Sequence, residues 1–246
     1  MSAEFVAIIQ ARMGSTRLPN KVLSDIVGRP MLWHILNRVK KSEFIDDIIL
    51  ATTTDKKDDD IVEFAKEHGI IIFRGSNDDV LDRYYQAANE NNVKNIVRIT
   101  ADDPLKDPDV IDKIIKIYKK NGLDYVSNTI EPTYPLGLDT EVFSFEALER
   151  AWNEADKKFE REHVTPYIWM NPDKFDILNV RYEGEDLSDL RWTVDTKEDL
   201  CFARAVYDKL FKDEKVFLMN DVLNLLEKYP EISRINDKVR GKNILN

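Results

Sequence analysis

A short apolar run near the start of the chain leads into a segment that is rich in cationic side chains. Residues 8–23 read IIQARMGSTRLPNKVL, which places Arg12, Arg17 and Lys21 within ten residues, with Gly14 between the two arginines. Glycine lets the backbone approach a ligand closely, and the amides of a bent loop can donate to phosphate oxygens. Arginine adds a forked pair of donors, and lysine adds a point charge. On physical grounds the segment is suited to bind a polyphosphate.

This loop differs from the two common nucleotide-binding signatures. It contains neither the G-x-x-x-x-G-K-[ST] pattern nor the G-x-G-x-x-G pattern. The hydroxyls of Ser15 and Thr16 add two further donors beside the glycine. Charge alone leaves open the alternative of a solvated basic loop with a turn proline.

Acidic residues at two predicted strand ends are candidates for binding a divalent cation. VRITADDPL (97–105) places Asp102 and Asp103 before a proline, and LRWTVDTKED (190–199) contains Asp195. Hard cations prefer carboxylate ligands and neutralise charge when a phosphoryl group is transferred. Adjacent residues leaving a strand point in opposite directions, so only one of Asp102 and Asp103 is expected at a given ion. The alternatives are an Asp-Pro turn and, for Asp195, a helix N-cap.

A third group of polar side chains lies in the second half of the chain. Asp139 and Glu141 are two residues apart in a strand-like stretch and would share one face, while EREH adds Arg161, Glu162 and His163. Converging carboxylates and a histidine could bind hydroxyl groups of a ligand, and one of them could act as general base. A packed or capped histidine is the alternative for His163.

The elements that must position these residues alternate between strands and helices. Predicted strands lie at 5–10, 47–53, 70–75, 95–100 and 124–129, with amphipathic helices at 30–42, 58–69, 78–92 and 108–122. Nearly continuous apolar strands between helices are typical of a parallel sheet covered on both faces. We therefore predict a doubly wound α/β fold with a mostly parallel sheet. Ligands of such sheets bind at the carboxyl ends of the strands, where the candidate loops lie.

The rhythm of the chain changes between about residues 131 and 174. Two prolines and Gly137 precede a strand-like TEVFSF and a helix from about Glu146, which predicts an inserted subdomain that bends away from the sheet. Further strands are expected at 175–182 and 190–196, followed by a helix at 197–211. The polar tail at about 235–246 is expected to fray. The acidic run 58–60 is interpreted as a solvated first turn of a helix rather than a metal cluster.

Composition limits the classes of partner. The chain has 246 residues with 36 basic and 46 acidic side chains, which argues against a broad nucleic-acid or anionic-membrane surface. Cys201 is the only cysteine, no apolar run approaches the roughly 20 residues of a spanning helix, and the N-terminus does not have the pattern of a secretion signal. We expect a single cytoplasmic domain covering residues 1–246 that binds neither nucleic acid nor membrane.

The opening segment closely resembles that of the cytidylyltransferases that activate acidic sugars, the enzymes that make CMP-sialic acid and CMP-KDO. The resemblance is carried by QARMGSTRLPNKVL followed by GRPMLWH. It is nearer still to the spore-coat and surface-polysaccharide branch and continues through FRGSNDDVLDRYYQAA, VRITADDPLKDPDVID, YPLGLDTEVFSFEALERAW and LRWTVDTKEDL, covering about residues 4–210.

This resemblance implies a fold of the nucleotide-diphospho-sugar transferase type and a set of site residues. The family's GD-x-P and I-D-T-x-x-D-L motifs map their metal acids onto Asp102 and Asp195, although Ala101 replaces the glycine and Asp103 stands where relatives often have a neutral residue. Base recognition would fall to Thr52, Thr53 and Arg74, for which a surface ion pair is the alternative. The implied nucleotide-binding residues are Ala11, Arg12, Met13, Gly14, Ser15, Arg17, Lys21, Thr52, Arg74 and Asp102, with Arg12, Lys21 and Asp102 catalytic.

The reaction that the resemblance implies is attack of a sugar hydroxyl on the α-phosphorus of CTP, with Mg²⁺ and release of pyrophosphate. Asp139, Glu141 and His163 would bind the sugar acceptor, and Trp152, Tyr167 and Trp169 fit a core or the interface of a homodimer. GTP is the alternative nucleotide. Two other functions remain open: a metal-dependent glycosyltransferase, whose usual Asp-x-Asp pair is matched only by the helix start at 58–60, and a non-catalytic nucleotide sensor or scaffold.

Overall fold

A seven-stranded sheet forms the centre of the molecule in this computed structural model, which describes residues 3–212 and 215–239. Its strands, in chain order, are β1 (Phe5–Gln10), β4 (Asp47–Thr53), β5 (Ile71–Gly75), β6 (Asn95–Thr100), β7 (Tyr125–Ser127), β8 (Glu141–Ser144) and β9 (Ile177–Asn179). They are arranged in the order β5-β4-β1-β6-β8-β7-β9. Only β8 runs antiparallel to its neighbours in this sheet. A small hairpin, β2 (Asp25–Ile26) and β3 (Arg29–Pro30), lies outside it.

Helices cover both faces of the sheet. They are α1 (Met31–Val39), α2 (Asp59–Glu67), α3 (Val80–Glu90), α4 (Pro108–Asn121), α5 (Phe145–Glu154), α6 (Lys158–His163), α7 (Pro166–Trp169), α8 (Lys197–Leu210), α9 (Met219–Lys228) and α10 (Pro230–Ser233). Short 3₁₀ turns occupy Lys21–Leu23, Lys56–Asp58 and Arg234–Val239. No helix in the described ranges is long and apolar enough to cross a bilayer.

The central strand β1 shows why the sheet is buried on both sides. Phe5, Ala7 and Ile9 pack into the core beneath α1, α4 and α8, whereas Val6 and Ile8 pack into the core beneath α3 and α5. Alternate residues of a strand face opposite sides, so an apolar run of this kind must be covered twice. The predicted α/β class with a mostly parallel sheet is confirmed.

Two of the later predicted strands differ from the structure. The strand expected at 175–182 is confined to Ile177–Asn179, and the segment 190–196 forms no regular strand. In that segment the amide of Trp192 donates to the carbonyl of Leu136 (2.7 Å) and the amide of Val194 to the carbonyl of Asp102 (2.8 Å). An extended segment that pairs with loops satisfies its polar backbone without joining the sheet.

Part of the predicted insertion belongs to the sheet. β8 lies between β6 and β7, so the expectation that this region bends away from the sheet is wrong for Glu141–Ser144. The helices that follow pack on α3, where the Tyr85 and Trp152 rings stack with centroids 4.1 Å apart. The Trp152 indole also donates to Asp82 at 2.9 Å, so this ring is part of the packing between helices.

The C-terminal segment is ordered further than its polar composition predicts. The short turn Arg234–Val239 follows α9 and α10, and Asn236 within it is fully buried. Its amide donates to the carbonyl of Arg191 at 2.9 Å. The predicted fraying is therefore wrong for residues 235–239, while residues 240–246 lie outside the described part of the chain.

Candidate active site

A buried aspartate holds the loop that follows β1. Asp58 accepts from the amide of Met13 at 2.7 Å and from the hydroxyl of Thr53, and it is fully buried. The interpretation of the acidic run as a solvated helix start is therefore wrong for Asp58. A carboxylate that fixes a backbone amide across 45 positions of sequence leaves no local pattern, which is why the sequence did not reveal this role.

The loop is bent around the carbonyl of Met13 and keeps several donors available. The amides of Ser15 and Asn20 both donate to this carbonyl, at 2.9 and 3.2 Å. Within the described residues, no acceptor is found for four other amides of the loop, those of Arg12, Gly14, Thr16 and Arg17. Unpaired amides on a bent loop beside cationic side chains are suited to bind phosphate oxygens.

Lys21 joins the two predicted metal acids. Its ammonium donates to Asp102 Oδ2 at 2.9 Å, to Asp195 Oδ1 at 2.9 Å and to the Val194 carbonyl at 2.8 Å. Burial alone would lower the pKa of Lys21, but the carboxylates of Asp102 and Asp195 outweigh it and the pKa is raised. Burial would likewise raise the pKa of Asp195, and Lys21 together with Arg191 and Arg17 holds that pKa below its usual range.

The oxygen atoms around the Lys21 ammonium fit a magnesium ion. They belong to two carboxylates and one backbone carbonyl, an all-oxygen set of the kind that hard cations prefer. The described residues contain no group of three or more His, Cys, Asp or Glu side chains that could hold a metal ion. Asp102 and Asp195 would be the protein ligands.

Asp103 points away from this pair, as expected for the neighbour of Asp102 at a strand end. It accepts from the Thr100 hydroxyl at 2.9 Å and from the ammonium of Lys106, itself fully buried, at 3.1 Å. Burial raises the pKa of Asp103, and Lys106 opposes that shift. The two adjacent aspartates therefore have different partners, and only Asp102 contacts Lys21.

A network behind Asp195 fixes the position of its carboxylate. Arg191 donates to Asp195 Oδ2 at 2.7 Å and to Asp199 Oδ1 at 3.1 Å. Asp199 is fully buried and also accepts from the amides of Asp195 and Asn236. Burial would raise the pKa of Asp199, but Arg191 and Asn236 lower it.

The sequence offered one signal for this network. The cap of α8 is Thr196, which forms a capping box with Asp199, so the alternative of Asp195 as N-cap is wrong. The pattern T-x-x-D before an apolar run is a readable capping signature. The contacts of Arg191 and Asn236 correspond to no comparable sequence pattern.

A cleft of about 670 Å³ joins these groups at the carboxyl ends of β1 and β6. Asp139 and His163 of the predicted acceptor group lie in its wall, as do the predicted metal residues and the predicted loop residues other than Met13. Its lining residues are Gln10, Ala11, Arg12, Gly14, Ser15, Thr16, Arg17, Lys21, Val22, Thr100, Ala101, Asp102, Asp103, Pro132, Leu136, Asp139, His163, Arg191, Thr193 and Asp195. Burial, and next the charge of Asp103, raises the pKa of Asp139 to about 7.

Five residues predicted to contact substrates do not line this cleft: Met13, Thr52, Thr53, Arg74 and Glu141. Met13 and Thr53 are buried. Glu141 is buried, where it accepts from Arg98 and, at 3.0 Å, from the Tyr125 hydroxyl. Because β8 begins at Glu141, Asp139 lies before the strand and the two carboxylates do not share a strand face. Thr52 is fully buried within β4.

Arg74 also lies apart from the cleft. Its guanidinium donates to the Thr53 carbonyl at 2.9 Å, to the Asp55 carbonyl at 2.9 Å and to Asp59 at 2.7 Å. These contacts tie the end of β5 to the start of α2, which corresponds to the ion-pair alternative given for this residue. Its role in binding the nucleotide base remains a prediction.

A second cavity of about 440 Å³ adjoins the first and shares Gln10, Ala11, Arg12 and His163 with it. Its other lining residues are Asn77, Asp78, Val80, Arg83, Lys158 and Glu162. Arg83 is buried, and its Nε has no acceptor among the described residues. Sequence reasoning missed Asn77, Asp78 and Arg83, although the first two follow a predicted strand at its carboxyl end.

Comparisons with known proteins agree with this geometry. A family model described as Cytidylyltransferase matches residues 6–237. The chain is 43% identical over 242 residues to the uncharacterized protein MJ1063 of Methanocaldococcus jannaschii, covering 97% of each chain. It is 34% identical over 235 residues to the spore coat polysaccharide biosynthesis protein SpsF of Bacillus subtilis, covering 93% of this chain and 96% of that one. A 3-deoxy-manno-octulosonate cytidylyltransferase of Geobacter sulfurreducens is 33% identical over 117 residues, 47% of this chain and 45% of its own.

Solved structures show the same fold. A cytidylyltransferase from Leptospira borgpetersenii serovar Hardjo-bovis superposes with a TM-score of 0.89 at 32% identity, covering 99% of each chain. A CMP:2-keto-3-deoxy-manno-octonic acid synthetase complexed with CTP gives a TM-score of 0.64 at 18% identity, covering 84% of this chain and 99% of that chain. The chain therefore belongs to the cytidylyltransferase family and is an enzyme of the CTP-dependent nucleotidyltransferase class.

Proposed function

We propose that the enzyme transfers CMP from CTP to a hydroxyl of an acidic sugar and releases pyrophosphate, and that the CMP-sugar serves surface polysaccharide or glycan synthesis. The observation that carries this proposal is the meeting, in one cleft, of a cationic loop with free amides and a pair of carboxylates. Similarity to 3-deoxy-manno-octulosonate cytidylyltransferases supports the acidic sugar, and similarity to SpsF supports the polysaccharide role.

The loop would bind the β- and γ-phosphates of CTP. Arg12 and Arg17 both line the cleft, and the unpaired amides belong to residues 12–17 of the same loop. Pyrophosphate gains negative charge as its bond to the α-phosphorus breaks, so donors fixed around it lower the barrier. As in phosphoryl transfer generally, most of the acceleration would come from positioning and electrostatics.

Asp102 and Asp195 would hold the divalent ion. When bound there, Mg²⁺ neutralises charge around the α-phosphorus during displacement. Arg191 fixes the orientation of the Asp195 carboxylate through a hydrogen bond to its Oδ2. A hydrogen bond to a carboxylate that would hold a metal fixes its orientation and so sets how well it binds the ion.

Asp139 is the proposed general base. It lines the cleft, and its pKa of about 7 leaves it partly ionised at neutral pH, which suits a group that must accept a proton from the attacking hydroxyl. The rival candidate Glu141 is bound by Arg98 and Tyr125 away from the cleft. His163 lies in the wall between both cavities, where it would contact the bound substrates.

The second cavity would hold the nucleotide base. Arg83 offers a donor to a ring carbonyl, and the carboxylates of Asp78 and Glu162 offer acceptors to an amino group. Cytosine presents both a carbonyl oxygen and an exocyclic amine, whereas uracil lacks the amine. The lining therefore supports CTP over UTP.

A homodimer in the cytoplasm completes the proposal. Two large apolar side chains of the inserted region are exposed, Phe159 at 39% and Met170 at 48%. Exposed apolar groups of this kind fit the interface expected of the insertion. Light scattering of the purified protein is expected to give twice the chain mass of 28.7 kDa, and a monomer at micromolar concentration would contradict the assembly.

The substrate test measures pyrophosphate release with Mg²⁺, each of the four nucleoside triphosphates and a panel of acidic and neutral sugars. We expect release only with CTP and one acidic sugar, and none from Asp102→Asn. Release with a neutral sugar would overturn the acidic acceptor but not the transfer reaction. Consumption of a UDP-sugar without pyrophosphate would instead support the glycosyltransferase alternative.

A further inference from the structure

The cation that bridges the two predicted metal acids is a side chain of the protein itself. The Lys21 ammonium lies 2.8–2.9 Å from one oxygen of Asp102, one oxygen of Asp195 and the Val194 carbonyl. Only 8% of the surface of Lys21 is exposed, so its ammonium is enclosed by the protein. The protein thus places a fixed positive charge between the two carboxylates that fit a metal ion.

A lysine in this position must compete with a metal ion. An ammonium and a divalent cation repel each other strongly at short distance in a partly buried site. Both cations also need lone pairs of the same oxygens, those of Asp102 Oδ2 and Asp195 Oδ1. Among the described residues Lys21 is the one cationic partner of Asp102, whereas Asp195 also contacts Arg17 and Arg191. One site cannot satisfy both cations with these oxygens.

A bound triphosphate would change this balance. Lys21 ends the same loop whose amides and arginines face the phosphate-binding part of the cleft. Phosphate oxygens offer its ammonium a partner of higher charge than a single carboxylate. Movement of one lysine side chain would release Asp102 and Asp195 together, since both lose the same partner.

We propose that Lys21 occupies the metal position while the enzyme is free of nucleotide and moves to the triphosphate when CTP arrives, so that metal and nucleotide load together. The inference rests on the proposed Mg²⁺-dependent function. It adds that the nucleotide-free enzyme binds divalent ions weakly, because Lys21 occupies their position. In the wild type, a metal ion can bind only if it displaces the Lys21 ammonium, which costs free energy. A change that removes Lys21 from the carboxylates should therefore raise metal affinity by that same free energy.

The test measures Mn²⁺ binding to the full-length protein without nucleotide, by the electron paramagnetic resonance signal of the free ion. Lys21→Met is expected to bind one Mn²⁺ about tenfold or more tighter than the wild type. Adding Asp102→Asn to this variant is expected to remove the gain, which locates the ion at the carboxylate pair. Because no nucleotide or sugar is present, the result is independent of which substrates the enzyme uses.

Arg17→Met is the matched control. It removes the same unit of charge from beside the same carboxylate, where Arg17 lies 3.1 Å from Asp195 Oδ1, but does not vacate the position between the two acids. The proposal predicts a much smaller gain for Arg17→Met than for Lys21→Met. Equal gains would mean that general charge, not occupancy, sets metal affinity, and an unchanged or weaker affinity of Lys21→Met would also overturn the proposal.

Lys21→Met leaves two carboxylates close together without their shared partner, so its folding must be checked. If this variant is unfolded without metal, Lys21→Gln is measured in the same way, since its amide can still donate to one carboxylate. The same criteria apply: tighter Mn²⁺ binding than both wild type and Arg17→Met supports the proposal, and affinity equal to or below wild type overturns it.

Discussion

Two adjacent aspartates at the end of β6 have different roles, one in the chemistry of the cleft and one in the stability of the fold. Asp102 faces Lys21 at the cleft, while Asp103 faces the buried Lys106. The sequence predicted that the two would point in opposite directions, and the structure agrees. The contact of Asp103 with a buried lysine could not be predicted, because Lys106 lies in a polar stretch that is typical of an exposed loop.

This difference predicts opposite effects of the same substitution. Asp103→Asn leaves the ammonium of Lys106 buried without its counter-charge and should lower the free energy of unfolding by about 3 kcal/mol. Asp102→Asn should abolish activity with little change in stability, since its side chain is partly exposed and Lys21 keeps Asp195 as a partner. Urea denaturation and pyrophosphate release measure the two effects, and a stable Asp103→Asn would contradict the assignment.

A second prediction concerns the pH dependence of Asp139. Its pKa is raised to about 7 by burial and by the charges of Asp103 and Glu141, with Lys106 opposing. As general base it works only when ionised, so kcat/KM should rise with pH up to a plateau above about pH 7. Asp139→Asn should lose this rise together with most of the activity. A wild-type profile that is flat between pH 6 and 8 would argue against Asp139 as the base.

The same pKa predicts a gain in stability for Asp139→Asn. In the unfolded chain this carboxyl ionises near its usual value of 3.8, well below its folded value of about 7. Its contribution to stability is therefore complete below pH 4 and is lost as pH rises through 7. At pH 8 the neutral Asn variant should be more stable than the wild type by about 2 kcal/mol, and the difference should vanish towards pH 4.

At the scale of elements, the crossing of the 134–138 loop with the 190–194 segment holds the cleft together. Gly137 has φ +112, and a Cβ there would lie 2.8 Å from the Thr193 nitrogen and 2.9 Å from the Trp192 carbonyl carbon. Both obstacles are backbone atoms, so they cannot move aside. Gly137→Ala should therefore cost about 3 kcal/mol or more and displace Asp139 and Asp195 from each other.

Gly28 provides the control for this prediction. It also has positive φ, +79, but a Cβ there would meet nothing within 4 Å. Gly28→Ala should cost only the conformational penalty of about 1 kcal/mol and retain activity. Thermal unfolding of both variants separates the two cases, and equal losses would show that the backbone crossing has no special role.

The elements also show what the sequence could predict. Strands β1, β4, β5, β6 and β7 and helices α1 to α4 follow from apolar patterns within their own segments. The place of β8 inside the sheet and the irregular path of 190–194 depend on pairing across long separations, which no local pattern records. The same reason explains the site: loop cations and metal acids could be predicted from motifs, whereas the contacts of Asp58 with Met13 and of Asp199 with Asn236 join residues distant in sequence.

At the scale of the whole molecule, the segment Arg234–Val239 near the C-terminus contacts residues that position the active site. Asn236 donates to the Arg191 carbonyl and to Asp199 at 2.9 and 3.0 Å, and these residues position Asp195 beside Lys21. Asn236→Ala should lower the free energy of unfolding by about 1–3 kcal/mol, because buried acceptors lose their donor. It should also weaken Mn²⁺ binding in the Lys21→Met background. Unchanged metal affinity in a destabilised protein would restrict Asn236 to a folding role.

The measurement that tests the whole account most directly follows the α-phosphate of CTP. Protein, Mg²⁺, the active sugar and [α-³²P]CTP are incubated, and the products are separated and counted together with released pyrophosphate. The account predicts label in a CMP-sugar in equal amount to pyrophosphate, with both lost in Asp102→Asn. Label that stays in CTP, or appears only in free CMP, would contradict transfer to a sugar hydroxyl.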